Sequence, residues 1–156
     1  MRSSLNQDDI VANKEFSTVV EMINLSLQPI TLILDSKQKT VYIEDKSCKL
    51  TPKEFSLYLL TAQLAQNNET LYYPSKDIEG DNIGEAHQNL FNQIYGRYSS
   101  KDDILVDNSY FSTALSTMKK KFIKEFGKLI AEKISIQPVG SGYAINLPVS
   151  QIKINK

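Results

Sequence analysis

The side chains best suited to hold a charged ligand lie close together near the C-terminal end, where Lys119, Lys120, Lys121, Lys124 and Lys128 fall within ten residues. Ammonium groups at that density bind phosphate by releasing counterions, so affinity is high at low salt and falls steeply as salt rises. The competing reading is a solvated helix end whose lysines favour the negative end of the helix dipole. Carboxylates gather elsewhere. Asp77, Glu79, Asp81 and Glu85 lie within nine residues and could attract a hard cation, but DIEGDNIGE lacks the ligand spacing of an EF-hand and reads as a solvated acidic loop. His87 is the only histidine, which excludes a histidine metal cluster and leaves a Ser-His-Asp triad without the partners it requires. It reads as a helix-surface residue. Cys48 is the only cysteine, so neither an internal disulfide nor a paired-thiol metal site can form. GxxxxGK and GxGxxG phosphate loops are absent, which leaves nucleotide hydrolysis and redox chemistry without support. The expectation is a binding protein and not an enzyme, with no catalytic residue, no metal and no cofactor.

With 156 residues and 41% hydrophobic side chains, the chain suits one domain with its own core. Its 18 basic and 18 acidic side chains balance, so it lacks the overall basicity of a strong nucleic-acid binder. The distribution is uneven: residues 1–100 hold 9 basic and 13 acidic side chains, residues 101–156 hold 9 and 5. Any contact with phosphate should therefore come from the C-terminal third. No run reaches the roughly 18 apolar residues of a spanning helix, and MRSSLNQDDI has no secretory apolar core. A cytoplasmic protein with no membrane partner is expected.

The elements that must carry these side chains follow from periodicity. Phe16, Val19, Val20, Ile23 and Leu27 recur at helical spacing and predict a leading helix over 13–27. After Pro29, ITLIL at 30–34 and TVYIE at 40–44 predict a hairpin around the turn DSKQK, with a third short run near Cys48 to Leu50. Thr51-Pro52-Lys53-Glu54 is a capping box with proline at the first helical position, so a helix starts there. Phe55, Leu59 and Ala62 form its stripe, with Leu60 and Leu64 beside it, and Asn67-Asn68 ends it. Residues 69–84, rich in turn formers, predict a long loop. A second helix is expected over 85–98 with Leu90, Phe91, Ile94 and Tyr98 inward. Asp107-Asn108-Ser109 caps a third, reaching Phe126, with Phe111, Leu115, Met118 and Phe122 inward. A further helical turn in KLIAEK precedes ISIQPV, Gly140-Ser141-Gly142 and YAINL, which read as a second hairpin.

Hairpin, three helices and closing hairpin in that order make a winged helix-turn-helix, and several residues resemble the OmpR/PhoB type of that fold. Leu50-Thr51-Pro52-Lys53-Glu54-Phe55 resembles the start of that family's first core helix. Leu115-Ser116-Thr117-Met118-Lys119-Lys120-Lys121-Phe122 is similar to the end of its recognition helix, and Gly140-Ser141-Gly142-Tyr143 resembles its wing. Two departures remove positive charge from the implied DNA face: Thr117 and Val139 stand where the family commonly has basic residues. The leading segment EFSTVVEMINLSLQP and the ending NLPVSQIKI resemble a CRISPR-associated family whose N-terminal Rossmann-like domain senses or cleaves cyclic oligoadenylate. That resemblance implies a module of antiviral defence that follows a ligand-sensing domain.

The fold class expected is α+β: a winged helix over 30–148, preceded by one extra helix and linker over 1–29 and followed by a tail over 149–156. The resemblance implies DNA binding and transcription regulation. Ser112, Thr113, Ser116, Thr117 and Lys120 would face the major groove, while Lys119, Lys120, Lys121, Lys124 and Ser141 of the wing meet phosphate. Hydroxyls cannot make the bidentate contact to guanine that arginine makes, so sequence readout should be modest. The expected partner is double-stranded DNA. The rival reading is a protein-interaction or dimerisation module, with a second copy of the chain as partner. Tyr72-Tyr73 could be an exposed partner-binding pair or cover a core edge; Tyr143 is expected at the base of the wing.

Overall fold

Alternation of apolar and polar side chains builds the first sheet. In β1 (Leu32–Asp35) Leu32 and Leu34 point into the core, and in β2 (Thr40–Ile43) Val41 and Ile43 do so. The connecting turn is held by Asp35, whose Oδ1 accepts the amides of Lys37 (3.0 Å) and Gln38 (3.2 Å). A second antiparallel step adds β3 (Lys46–Lys49), which pairs Val41 with Cys48. The computed structural model describes residues 29–100 and 102–156, and the helix expected over 13–27 lies outside them.

The tail expected over 149–156 is instead part of the fold. After a single 3-10 turn (Val149–Gln151), β6 (Ile152–Asn155) runs parallel to β1 with Leu32 opposite Ile152, completing the strand order β3-β2-β1-β6. Ile152 is buried. The physical reason is that β1 would otherwise leave its outer row of amides and carbonyls unpaired.

Helix α1 (Pro52–Gln66) begins at the capping box: Thr51 Oγ1 accepts the Glu54 amide at 3.2 Å, and Glu54 Oε1 accepts the Thr51 amide at 2.9 Å. Thr51→Ala should lower stability by about 1 kcal/mol, read as a reduced denaturation midpoint; an unchanged midpoint would contradict the cap. Burial extends well beyond the expected stripe. Phe55, Leu57, Tyr58, Leu59, Leu60, Ala62 and Leu64 are all buried, and so are Ser56 and Thr61. Those two hydroxyls donate to the carbonyls of Pro52 and Leu57, which satisfies them without breaking the helix.

Helix α2 (Glu85–Tyr95) is shorter than expected and turned differently. Phe91, Ile94 and Tyr95 are buried, whereas Leu90 is 38% exposed. Tyr98 lies beyond the helix, where its hydroxyl donates to the Ser36 carbonyl at 2.6 Å. Helix α3 (Asn108–Phe126) starts where Asp107 accepts the Tyr110 amide at 2.9 Å. Phe111, Ala114, Met118, Phe122 and Phe126 form its inward row, and Leu115 packs on the flank of the core. After Gly127, α4 (Lys128–Ile134) leads into β4 (Ile136–Val139) and β5 (Gly142–Ile145). Gly140 takes φ +64° in the two-residue turn between them, a conformation that L side chains adopt reluctantly. Among the described residues the architecture is α+β, with four helices and two sheets. No described helix is long and apolar enough to cross a membrane.

Candidate nucleic-acid interface

Helix α3 is held from one side only. Its inward row meets α1 and β3, and Phe122 lies 5.3 Å from the Tyr58 ring, whose hydroxyl donates to the Ile134 carbonyl at 2.7 Å. Helical spacing turns Ser116, Lys120 and Lys124 away from that row, while Thr113 and Thr117 lie on the flank that borders the start of α1. Thr113, Ser116, Lys119, Lys120 and Lys124 are exposed and Thr117 is half-buried. Glu125 is the only carboxylate of α3, and its field acts on buried Cys48, on the side that meets β3. The Cys48 thiol is pushed up to about 11, first by burial and then by Glu125, so near neutral pH it is a protonated core side chain and not a nucleophile.

The hairpin is fastened to the N-terminal half of α3 by three aromatic rings. Tyr143 stacks on Tyr73 at 4.6 Å and meets Phe111 edge-on at 5.8 Å. Leu71 and Tyr143 exchange two backbone hydrogen bonds of 2.8 Å, so the loop after α1 adds a one-residue bridge to β5. These contacts set the exposed turn residue Ser141 on the same hairpin. Tyr73 therefore has a structural role. Tyr72 is 49% exposed but tied down, its hydroxyl donating to Asp81 at 2.7 Å. That bond holds the Tyr72 hydroxyl above its usual range and, together with the Ser75 amide, holds the Asp81 carboxyl below its own.

Two residues expected at the DNA face are engaged elsewhere. Lys121 turns toward α1, its Nζ 2.6 Å from Glu54 Oε1, because the capping carboxylate is buried and needs a cation beside it. Ser112 is half-buried and shares a 2.6 Å hydrogen bond with the Tyr73 hydroxyl. Neither contact has a local sequence signal: the partners lie 67 and 39 residues apart. His87 is half-buried on α2.

The surroundings of α3 differ in sign from end to end. Glu79, Asp81 and Asp107 outnumber the single cation Lys76 around a hollow at its N-terminus, whereas the lysine run follows Met118. Between the start of α1 and α3 runs a groove of about 520 Å³, bordered by Lys53, Leu105, Tyr110, Thr113 and Thr117. Compared with family models, curated proteins and solved structures, the chain matches none.

Proposed function

We propose that this chain is a winged-helix DNA-binding domain that grips the phosphate backbone more than it reads bases, with α3 as contact helix and the β4–β5 hairpin as wing. The observation that carries the reading is the outer face of α3, which bears hydroxyls and lysines and no carboxylate, on a helix whose other side is locked into the core. The order of helices and closing hairpin supports it, as do the motif resemblances. The acidic hollow at the N-terminus of α3 repels phosphate where a recognition helix ordinarily meets base edges. Contact therefore falls on Lys119, Lys120 and Lys124, and sequence readout is weak. The CRISPR-associated resemblance would make the domain a regulatory module coupled to a ligand-sensing domain.

Replacing Lys119, Lys120 and Lys124 together by Ala should weaken binding to all duplexes alike. It should also flatten the plot of log K against log salt by about 0.9 per lost phosphate contact. Fluorescence anisotropy across a salt series measures both. A parent chain that leaves duplex DNA unbound even near about 50 mM salt would end this reading. The acidic hollow and Leu105, 49% exposed beside the groove, favour a second reading as a protein-interaction module. A concentration-dependent dimer in sedimentation, without DNA binding, would establish that one.

A further inference from the structure

A second cluster of positive charge lies away from α3, at the end of the first sheet. The turn between β1 and β2 brings Ser36, Lys37 and Lys39 together with Arg97 and Tyr98, which follow α2, and with Lys156, which follows β6. Together they line a pocket of about 540 Å³ that opens to solvent. Four of its six lining residues have cationic side chains and none has an acidic one, while Lys156, the last residue of this chain, also brings the terminal carboxylate. No described carboxylate forms an ion pair with any of the four; the ion pair seen among the described residues is Lys121 with Glu54. Asp35, the neighbour of this turn, is engaged by the amides of Lys37 and Gln38. Four like charges around one hollow repel one another, and an anion placed among them removes that cost.

The frame of the pocket is braced from three elements. The Tyr98 hydroxyl donates to the Ser36 carbonyl at 2.6 Å, tying the end of α2 to the turn. The Ser36 amide donates to Asn155 at 2.8 Å, tying the turn to β6. Lys39 takes φ +54°, a left-handed conformation costly for a lysine. It is held there by the Leu50 amide donating to its carbonyl at 2.9 Å, while its ammonium sits 5.4 Å from the centre of the Tyr98 ring. The backbone that carries Lys39 is thus fixed and its ammonium is placed beside Tyr98, while the side chains of Lys37, Arg97 and Lys156 are exposed around it.

We infer that this pocket binds a small ligand carrying a chain of two or three phosphates, at a site separate from the α3 face. Arg97 offers a planar fork matched to a phosphate edge, and the three lysines offer point charges that suit the remaining oxygens. The hollow, about 540 Å³, is open to solvent, so charge and not enclosure would supply the affinity. The pocket shares no residue with the α3 face, so this inference stands whether or not α3 binds DNA.

Isothermal titration of the full chain with sodium tripolyphosphate and, separately, with ATP tests it. At about 0.1 M salt, where charges beyond about 10 Å are screened, the parent should bind tripolyphosphate. The double variant Lys37→Ala/Arg97→Ala should bind it about tenfold or more weakly. Both residues are exposed, so the thermal melt of that variant should match the parent's. Lys120→Ala/Lys124→Ala should leave affinity within about twofold. ATP binding tighter than tripolyphosphate identifies a nucleotide as ligand, and equal affinity identifies the phosphate chain alone; either result supports the site. The inference is overturned if the parent binds neither probe at about 1 mM, if the double variant binds as well as the parent, or if the α3 variant loses as much affinity as the pocket variant.

Discussion

Phe122→Ala is expected to lower the free energy of unfolding by about 3–5 kcal/mol, the usual cost of truncating a buried phenylalanine. Phe122 is completely buried at the joint between α1 and α3, with the Tyr58 ring at 5.3 Å and the Phe126 ring at 6.1 Å. The cavity cannot close by a simple shift of Tyr58. That ring is itself fully buried, and its hydroxyl is bonded to the Ile134 carbonyl, so moving it would strand a buried donor. Burial also holds the Tyr58 hydroxyl well above its ordinary range, so it stays a neutral donor throughout the pH range in which the fold is studied. Urea unfolding followed by circular dichroism gives the number directly. A loss under about 1 kcal/mol would mean that α3 is not seated on α1 as described. Leu115→Ala should fall at the low end of the 2–5 kcal/mol range for truncated aliphatic side chains, because Leu115 lies on the flank of the core. The seating of α3 matters beyond stability, since it decides which of its residues face outward.

How far the sequence foretells this arrangement depends on the range of each interaction. The capping box at Thr51 and Glu54 is legible because its donors and acceptors lie within four residues, and the structure forms both of its hydrogen bonds. The closing hairpin is legible for the same reason, a two-residue turn between alternating strands. In helix α1 periodicity predicts a stripe of five apolar positions, but helices and strands cover it on nearly every side, and Ser56 and Thr61 are buried by bonding to their own helix. Leu90 neighbours Phe91 in a short helix, where a rotation of one position exchanges an inward for an outward side chain. Strand β6 alternates Ile152 and Ile154 with Lys153 and Asn155, but a run of four is too short to separate from a tail until β1 offers an edge 120 residues earlier. The same limit applies to the site. The lysine run could be seen, but the Lys121 contact with Glu54 and the gathering of Lys37, Lys39, Arg97 and Lys156 exist only after the chain has folded.

Gly142→Val should separate the hairpin from the loop that braces it. A side chain at this position has nowhere to go: its first carbon would overlap Thr70 Oγ1 and lie 2.8 Å from the Leu71 carbonyl oxygen. Thr70 can rotate, but the Leu71 carbonyl accepts the Tyr143 amide at 2.8 Å and is anchored by the return bond from its own amide. One strand must therefore retreat, losing both bonds of the bridge and loosening the stack of Tyr73 on Tyr143 and its contact with Phe111. The cost should be about 1–3 kcal/mol, the range for forcing extra atoms into a packed site. It should appear locally as faster hydrogen exchange at the Leu71 and Tyr143 amides. Gly140→Ala supplies the contrast. Nothing lies within 4 Å of the carbon it adds, so its cost comes from φ +64° alone, about 1 kcal/mol, and the Leu71 to Tyr143 bridge should keep its protection. If the hairpin serves as the wing of a DNA-binding domain, Gly142→Val should also weaken duplex binding, because the hairpin that carries Ser141 would lose its contacts with Tyr73 and Phe111. Equal exchange rates at Leu71 in the parent and the valine variant would show that the close approach of these two strands does not govern the position of the hairpin.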